Sequence, residues 1–196
     1  MNRTLAQKVI LVTGGAGFIG SHLVDRLIQE APKKIIITDN FFLGNINNLD
    51  KAKQLFSELE IIYCDITVEE DLNKIMDDFL PEVVFNLAIV PLPMSLTLPE
   101  QCLQKNINMT LNLCHLQRLK KFETLIHFSS SEVFGNAHMI PMSEDHPINP
   151  ETPYAASKGA TDNIVLSYHR TFNCDSTIVR PFNQYGPRQN TQEYAG

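Results

Sequence analysis

Residues 8–13 (KVILVT) form a short, β-branched apolar run, and from Phe18 to Gln29 the apolar positions Ile19, Leu23, Leu27 and Ile28 recur at helical spacing. Between the two runs, glycines stand at positions 14, 17 and 20. A run that is apolar throughout suits a strand covered on both faces, as in a parallel sheet. The turn joining such a strand to a helix is where glycine does three separate things. Gly14 allows a tight turn, Gly17 lets a pyrophosphate approach the backbone, and Gly20 lets the helix lie close against the strand. The helix start, with Phe18 and Ile19 between Gly17 and Gly20, offers free N–H donors and the positive end of the helix dipole to the anion. Three spaced glycines are a weak signal in isolation. With a strand before them and a helix after, they predict a dinucleotide site.

The remaining strands and helices follow the same alternation. Residues 34–38 read as a second strand closed by Asp39, and residues 40–50, rich in Asn and Gly, as a loop. Residues 59–64 read as a third strand closed by Asp65. Thr67 and Glu70 have capping-box spacing for a helix running to about Phe79. A fourth strand is expected at 82–88, a long helix from Pro99 to about Lys120, a fifth strand at 124–129, a helix from Thr152 to His169, and a sixth strand at 176–180. Pro91, Pro93 and Pro99 mark the segment after the fourth strand as an ordered loop, read as a wall of the site. Short apolar strands alternating with helices predict an α/β fold, a doubly wound parallel sheet whose ligands bind outside the carboxyl ends of the strands.

Composition excludes several classes. With 196 residues and 43% hydrophobic content, the chain is long enough for one sizeable core. A formal charge of −6 and no basic cluster argue against nucleic acid or an anionic membrane as partner. No run reaches membrane-spanning length. Cys64, Cys102, Cys114 and Cys174 are scattered without metal-ligand or redox spacing, so no metal is expected. They read as free thiols in a reducing, cytoplasmic setting.

Chemistry gathers at the strand ends. Asp39 follows Gly20 by 19 positions, near the separation expected of an acidic residue on the adenosine ribose, with Asn40 beside it. A carboxylate there accepts from the ribose hydroxyls and repels a 2′-phosphate, which favours NAD over NADP; the alternative is an Asp that only starts a turn. Asp65 and Ile66 close the third strand where a carboxylate could meet the adenine amino group, though Asp is also common strand-end punctuation. Tyr154 and Lys158 stand four apart, on one helical face. A phenol titrates near pH ~10 when unperturbed, and a neighbouring cation favours its ionised form, so Lys158 is expected to bring Tyr154 toward the working range. Ser129, Ser130, Ser131 and Glu132 follow the fifth strand and supply hydroxyls and a carboxylate.

Taken in order, residues 13–20, Asp39, residues 106–110, 129–135, 154–158 and 180–187 resemble the extended short-chain dehydrogenase/reductases, in particular the NAD-dependent nucleotide-sugar epimerases and dehydratases. The resemblance covers essentially the whole chain and implies a Rossmann fold holding NAD. It implies that Tyr154 removes the proton of the sugar 4-hydroxyl, that Lys158 binds the nicotinamide ribose, and that Ser130 is the catalytic hydroxyl, with Ser131 a less favoured substitute. It further implies that Ala88 and Pro181 lie along the cofactor and that Asn183 contacts the sugar diphosphate of a UDP- or dTDP-sugar. Asn106 would hold the cofactor-side loops, or else bond within its own helix. Glu132 stands where dehydratases and sugar-acid decarboxylases carry a Glu that takes a proton beside the new ketone; here Ser131 replaces their usual Asp, and Glu132 could equally be a loop acceptor. Phe134 replaces a more usual Tyr, and Asn86 a more usual His.

In that family a smaller lobe over the nucleotide sugar begins near Gly186. Residues 1–186 are therefore read as the NAD-binding domain, and 187–196 as the start of a substrate-binding domain that ten residues cannot complete. The expectation is a chain that by itself binds NAD better than it turns over sugar. A homodimer through the helices at 99–120 and 152–169 is expected by the same likeness. The competing reading is a non-catalytic NAD-binding module, a redox sensor or assembly subunit; a simple alcohol or ketone reductase is a third.

Overall fold

The computed structural model describes residues 4–191. Residues 192–196, the end of the segment read as opening a second lobe, lie outside the described residues. Six parallel strands form one sheet in the order β3-β2-β1-β4-β5-β6. They are β1 (Val9–Thr13), β2 (Lys34–Asp39), β3 (Leu59–Tyr63), β4 (Val83–Asn86), β5 (Thr124–Phe128) and β6 (Asp175–Val179). The chain leaves the middle of the sheet in both directions, so the strand order reverses between β1 and β4. Their registered ends, Thr13 and Asn86, lie side by side at that crevice.

Side-chain alternation along the strands fills two cores. Ile10, Val12, Ile35, Ile37, Val83 and Phe85 point to one face, against Val24 and Leu27 of α1 (Phe18–Ile28) and Ala52 of α2 (Asp50–Leu55). Leu11, Ile36, Val84 and Leu125 point to the other. There they meet Leu72, Ile75 and Met76 of α3 (Glu69–Phe79), Leu113 and Leu116 of α5 (Pro99–Arg118), and Val165 of α6 (Pro153–Phe172). Both faces being covered, the inner strands read as unbroken apolar runs. All four cysteines are buried and unbridged.

Three local expectations are corrected. The loop read over 40–50 holds a 3-10 turn at Ile46–Leu49 that runs into α2. Asparagines build it: the Asn45 side chain accepts from the Asn47 N–H at 3.0 Å, and Asn48 Nδ2 donates to the Ala16 carbonyl at 2.9 Å. The Pro-rich stretch after β4 is not a loop but a short helix, α4 (Leu92–Thr97), with proline in its first turn, where a missing N–H costs nothing. Thr67 and Glu70 form no capping box. The N-cap of α3 is Val68, and the Thr67 hydroxyl turns back to Asp65 Oδ1 at 2.7 Å.

Helix α6 begins as its sequence suggests. Thr152 Oγ1 accepts from the Ala155 N–H at 3.1 Å, and Pro153 occupies the first helical position. It extends to Phe172, three residues beyond the expected end, and stops at Asn173 in the left-handed conformation.

Candidate active site

A cavity of about 1030 Å³ opens at the carboxyl ends of the strands. One end is bordered by Gly14, Gly17, Phe18, Ile19 and Gly20, with Asp39, Asn40, Asp65 and Ile66 beyond them. The other end is bordered by Ser130, Glu132, Tyr154, Pro181 and Asn183, and Ala88 lies between. The Pro-rich segment does form a wall, through Pro91 to Met94, but as a helix.

The glycine turn is shaped by close approach. Gly14 has φ +68°, and a Cβ there would stand 2.8 Å from the Ala88 backbone nitrogen. A Cβ on Gly20 would overlap the Gly14 carbonyl oxygen and lie 2.8 Å from Gly15 Cα, so α1 is seated directly on the turn. Gly17 is the N-cap of α1, and its own N–H bonds Gly14 at 3.2 Å.

Asp39 is held from its backbone side. Oδ2 accepts from the Ala16 N–H at 3.0 Å and Oδ1 from the Phe41 N–H at 2.8 Å. Burial raises its carboxyl above the usual range, and these two donors only partly offset the effect. At Asp65 burial also pushes upward, but hydrogen bonds from Thr67 and Asn40 and the charge of Lys105 outweigh it, leaving the carboxyl below its usual range. The hydroxyls of Thr38 and Ser129 are buried without a hydrogen-bond partner, and both residues border the cavity. Buried polar atoms seldom go unpaired. Orphan hydroxyls at both ends, an acidic residue at the end of β2 and a glycine turn between fit a long polar ligand such as a dinucleotide.

At the α6 end, Ser130 Oγ accepts from the Glu132 N–H at 3.2 Å, and Tyr154 borders the same part of the cavity. The phenol is pushed up to about 12, chiefly by burial; the Ser130 hydroxyl lowers it and the Glu132 charge raises it. Lys158 is pushed down to about 8 by burial, against the opposing charge of Asp162. Its ammonium donates to the Phe128 carbonyl at 2.5 Å. Burial, not the Lys158 charge, dominates at Tyr154 here, and the ammonium is bonded to a main-chain carbonyl.

Three sequence candidates do not border the cavity. Lys158 lies beneath it. Ser131 is absent from the lining, and its N–H bonds the Pro181 carbonyl at 3.0 Å. Asn106 ties the wall to α6: Oδ1 accepts from the Val90 N–H at 2.8 Å, and Nδ2 donates to the Val90 carbonyl at 3.1 Å and to Ser157 Oγ at 3.0 Å.

Sequence reasoning missed a buried polar chain below the floor. Thr13 Oγ1 donates to Asn86 Oδ1 at 2.8 Å, leaving Asn86 Nδ2 to donate to His127 Nδ1 at 3.1 Å. His127 Nε2 then donates to Thr161 Oγ1 at 3.2 Å, and Thr161 to the Lys158 carbonyl at 2.9 Å. Burial, then the Lys158 charge, holds the His127 imidazole well below its ordinary range, in the neutral form this tautomer needs. The available signal was Asn86 itself, which meets the imidazole as an amide donor.

The sequence profile of the NAD dependent epimerase/dehydratase family matches residues 10–196. The chain is 37% identical over 188 residues to the UDP-glucose 4-epimerase of Mycolicibacterium smegmatis, covering 95% of this chain and 59% of that protein. It is 35% identical over 190 residues to UDP-glucuronic acid decarboxylase 6 of Arabidopsis thaliana, with 94% and 53% covered. The UDP-glucose 4-epimerase of Thermotoga maritima, solved with UDP-glucose, superposes with a TM-score of 0.87 at 32% identity, covering 96% of this chain and 60% of that one. The chain thus spans 53–60% of the length of each of these three relatives. A profile match over nearly all its residues, on a fold shared with these enzymes, makes this chain a member of the NAD dependent epimerase/dehydratase family.

Proposed function

We propose that the chain acts on a nucleotide sugar, a UDP- or dTDP-sugar, as an NAD-dependent epimerase or dehydratase. The observation that carries this reading is the meeting of Tyr154, Ser130 and Glu132 on one end of a single cavity whose other end is the glycine turn and Asp39. The glycine turn and the α1 start hold the pyrophosphate by backbone N–H groups, and Asp39 takes the adenosine ribose. NAD, when bound, supplies a hydride acceptor. Tyr154 removes the proton of the sugar 4-hydroxyl, with the Ser130 hydroxyl stabilising the phenolate and orienting the sugar oxygen. Lys158 would hydrogen-bond the nicotinamide ribose when NAD is bound, and its charge there would favour the ionised phenol. Glu132 is within the cavity to take a proton from the adjoining sugar carbon, the step that separates a dehydratase or decarboxylase from a simple epimerase.

The intact Tyr154, Lys158 and Ser130 set favours catalysis over a non-catalytic module, which requires none of the three. We infer a cytoplasmic homodimer joined along α5 and α6. The four buried free thiols suit a reducing compartment, and no helix among the described residues is long and apolar enough to cross a membrane.

The test is a panel of UDP- and dTDP-hexoses with NAD, following transient NADH absorbance and product. Tyr154→Phe is expected to lower turnover by about 10²–10⁴-fold while leaving NAD affinity within about twofold. Turnover preserved in Tyr154→Phe would remove the tyrosine from the chemistry. NAD binding without NADH or product on any sugar would move the protein to the non-catalytic class.

A further inference from the structure

Asp162 lies one turn beyond Lys158 on α6 and is completely buried. Its Oδ2 accepts from Arg180 Nε at 2.9 Å. Its Oδ1 has no hydrogen-bond partner and stands 3.9 Å from His127 Nε2. A buried carboxylate with one oxygen unpaired is costly, and burying an ion pair is a poor route to stability. The arrangement therefore calls for another use.

The neighbours leave its charge only partly cancelled. His127 supplies none, because both ring nitrogens are engaged, one accepting from Asn86 and one donating to Thr161. The Arg180 side chain is 27% exposed, so solvent screens part of its charge. Its guanidinium also packs over the Phe134 ring at 5.3 Å. Lys158 meets Asp162 on its own helix, Cys102 from α5, and His127 and the Phe128 carbonyl from β5. Of these, Asp162 contributes most toward keeping the buried ammonium charged. Through Arg180 the same carboxylate reaches Phe134, which ends the 3-10 turn carrying Glu132, and anchors the start of the 181–183 segment on the cavity wall.

We propose that Asp162 is a positioning residue whose carboxylate holds Lys158 protonated inside the protein and, through Arg180, fixes the two cavity segments on either side of Tyr154. Its importance for turnover rests on the catalytic reading above; its effect on Lys158 does not.

The experiment titrates Lys158 in the free protein by NMR of lysine labelled with ¹⁵N at Nζ, its signal identified by loss in Lys158→Met. The wild-type midpoint is expected near 8. Asp162→Asn should move it down by about one pH unit or more, because the buried ammonium then loses the opposing charge one helical turn away. Asp162→Glu, which keeps the charge, should restore a midpoint close to wild type. A purely structural role predicts the opposite sign, since loosened packing admits water and moves Lys158 up toward 10.5. An unchanged or raised midpoint in folded Asp162→Asn overturns the proposal. Should that variant not fold, Asp162→Asn with Arg180→Met removes both charges. A midpoint below wild type supports the proposal, and one at or above it overturns it. A protein that turns over no nucleotide sugar yet shows the downward shift would lose the catalytic reading and keep this one.

Discussion

The end of the cavity around the β1–α1 turn and the end around α6 present a ligand with different materials. The first is mostly main chain: glycines packed against Ala88 and against each other, the open start of α1, and one carboxylate pinned by two backbone N–H groups. The second is side chains whose ionisation is set by burial, with Tyr154 pushed up to about 12 and Lys158 down to about 8. A main-chain site is ready in shape before any ligand arrives, because its donors have no protonation state to choose. The α6 end is poised otherwise. Its phenol is protonated and its ammonium is engaged elsewhere, so its working charge depends on what binds beside it.

The largest effect is expected where the main-chain end depends on contact between atoms. In Gly20→Val the added carbons overlap the Gly14 carbonyl oxygen, and α1 can only move away from the turn. Overpacking of this kind typically costs ~1–3 kcal/mol, and here it also displaces the N–H groups that meet the anion. NAD binding should fall by more than about a hundredfold, with a lower melting temperature, read by calorimetry on the same preparation. NAD affinity near wild type would break the comparison at its first term.

That contrast also explains what was legible beforehand. The succession of parallel strands and helices, the glycine turn and the place of Asp39 at a strand end rest on local patterns, because a strand covered on both faces must be apolar and a turn with φ +68° accepts glycine. In sequence, helix α4 and the turn into α2 look like loops, because proline and asparagine serve as punctuation and as helix starts alike, and tertiary contacts such as Asn48 with Ala16 decide between them. The spacing of Tyr154 and Lys158 was visible, but the direction of their ionisation was not. Burial depends on α5, β5 and the chain after β6 closing around them, and these are brought together only by the fold. Asp162 and His127 escaped notice for the same reason, being partners across elements more than 30 residues apart.

Asp39 sharpens the comparison, since it is a charged side chain held by main chain. In Asp39→Asn one lone-pair set is traded for an amide, and charge-assisted bonds of roughly 1.5–3 kcal/mol to the ribose are weakened. NAD affinity should drop about tenfold, the equivalent of about 1.4 kcal/mol. NADP affinity should drop less, because the repulsion toward a 2′-phosphate is also gone. Burial holds the Asp39 carboxyl above its usual range, so in wild type the preference for NAD should fade as pH falls, and at a higher pH than an exposed aspartate would give. Equal losses for both dinucleotides would mean that Asp39 serves only the turn.

The smallest effect isolates the cost of the buried charge at the α6 end. Lys158 is held at about 8 in the folded chain against an ordinary 10.5. Between those values the unfolded chain binds more protons than the folded one, so this lysine makes stability rise with pH, by at most about 1.4 kcal/mol per pH unit. Below the window both states are charged and the folded protein carries the full penalty. Cys64 at about 11, Cys114 at about 12 and Tyr154 at about 12 act in the reverse sense, above pH ~9, because their buried forms keep protons the unfolded chain releases. Comparing wild type with Lys158→Met in urea removes those contributions, which are common to both. Between about pH 7.5 and about pH 9 the difference in unfolding free energy should move by roughly 1 kcal/mol in favour of wild type. A flat difference would mean that Lys158 titrates as an exposed lysine does, and the two ends of the cavity would then differ in shape alone.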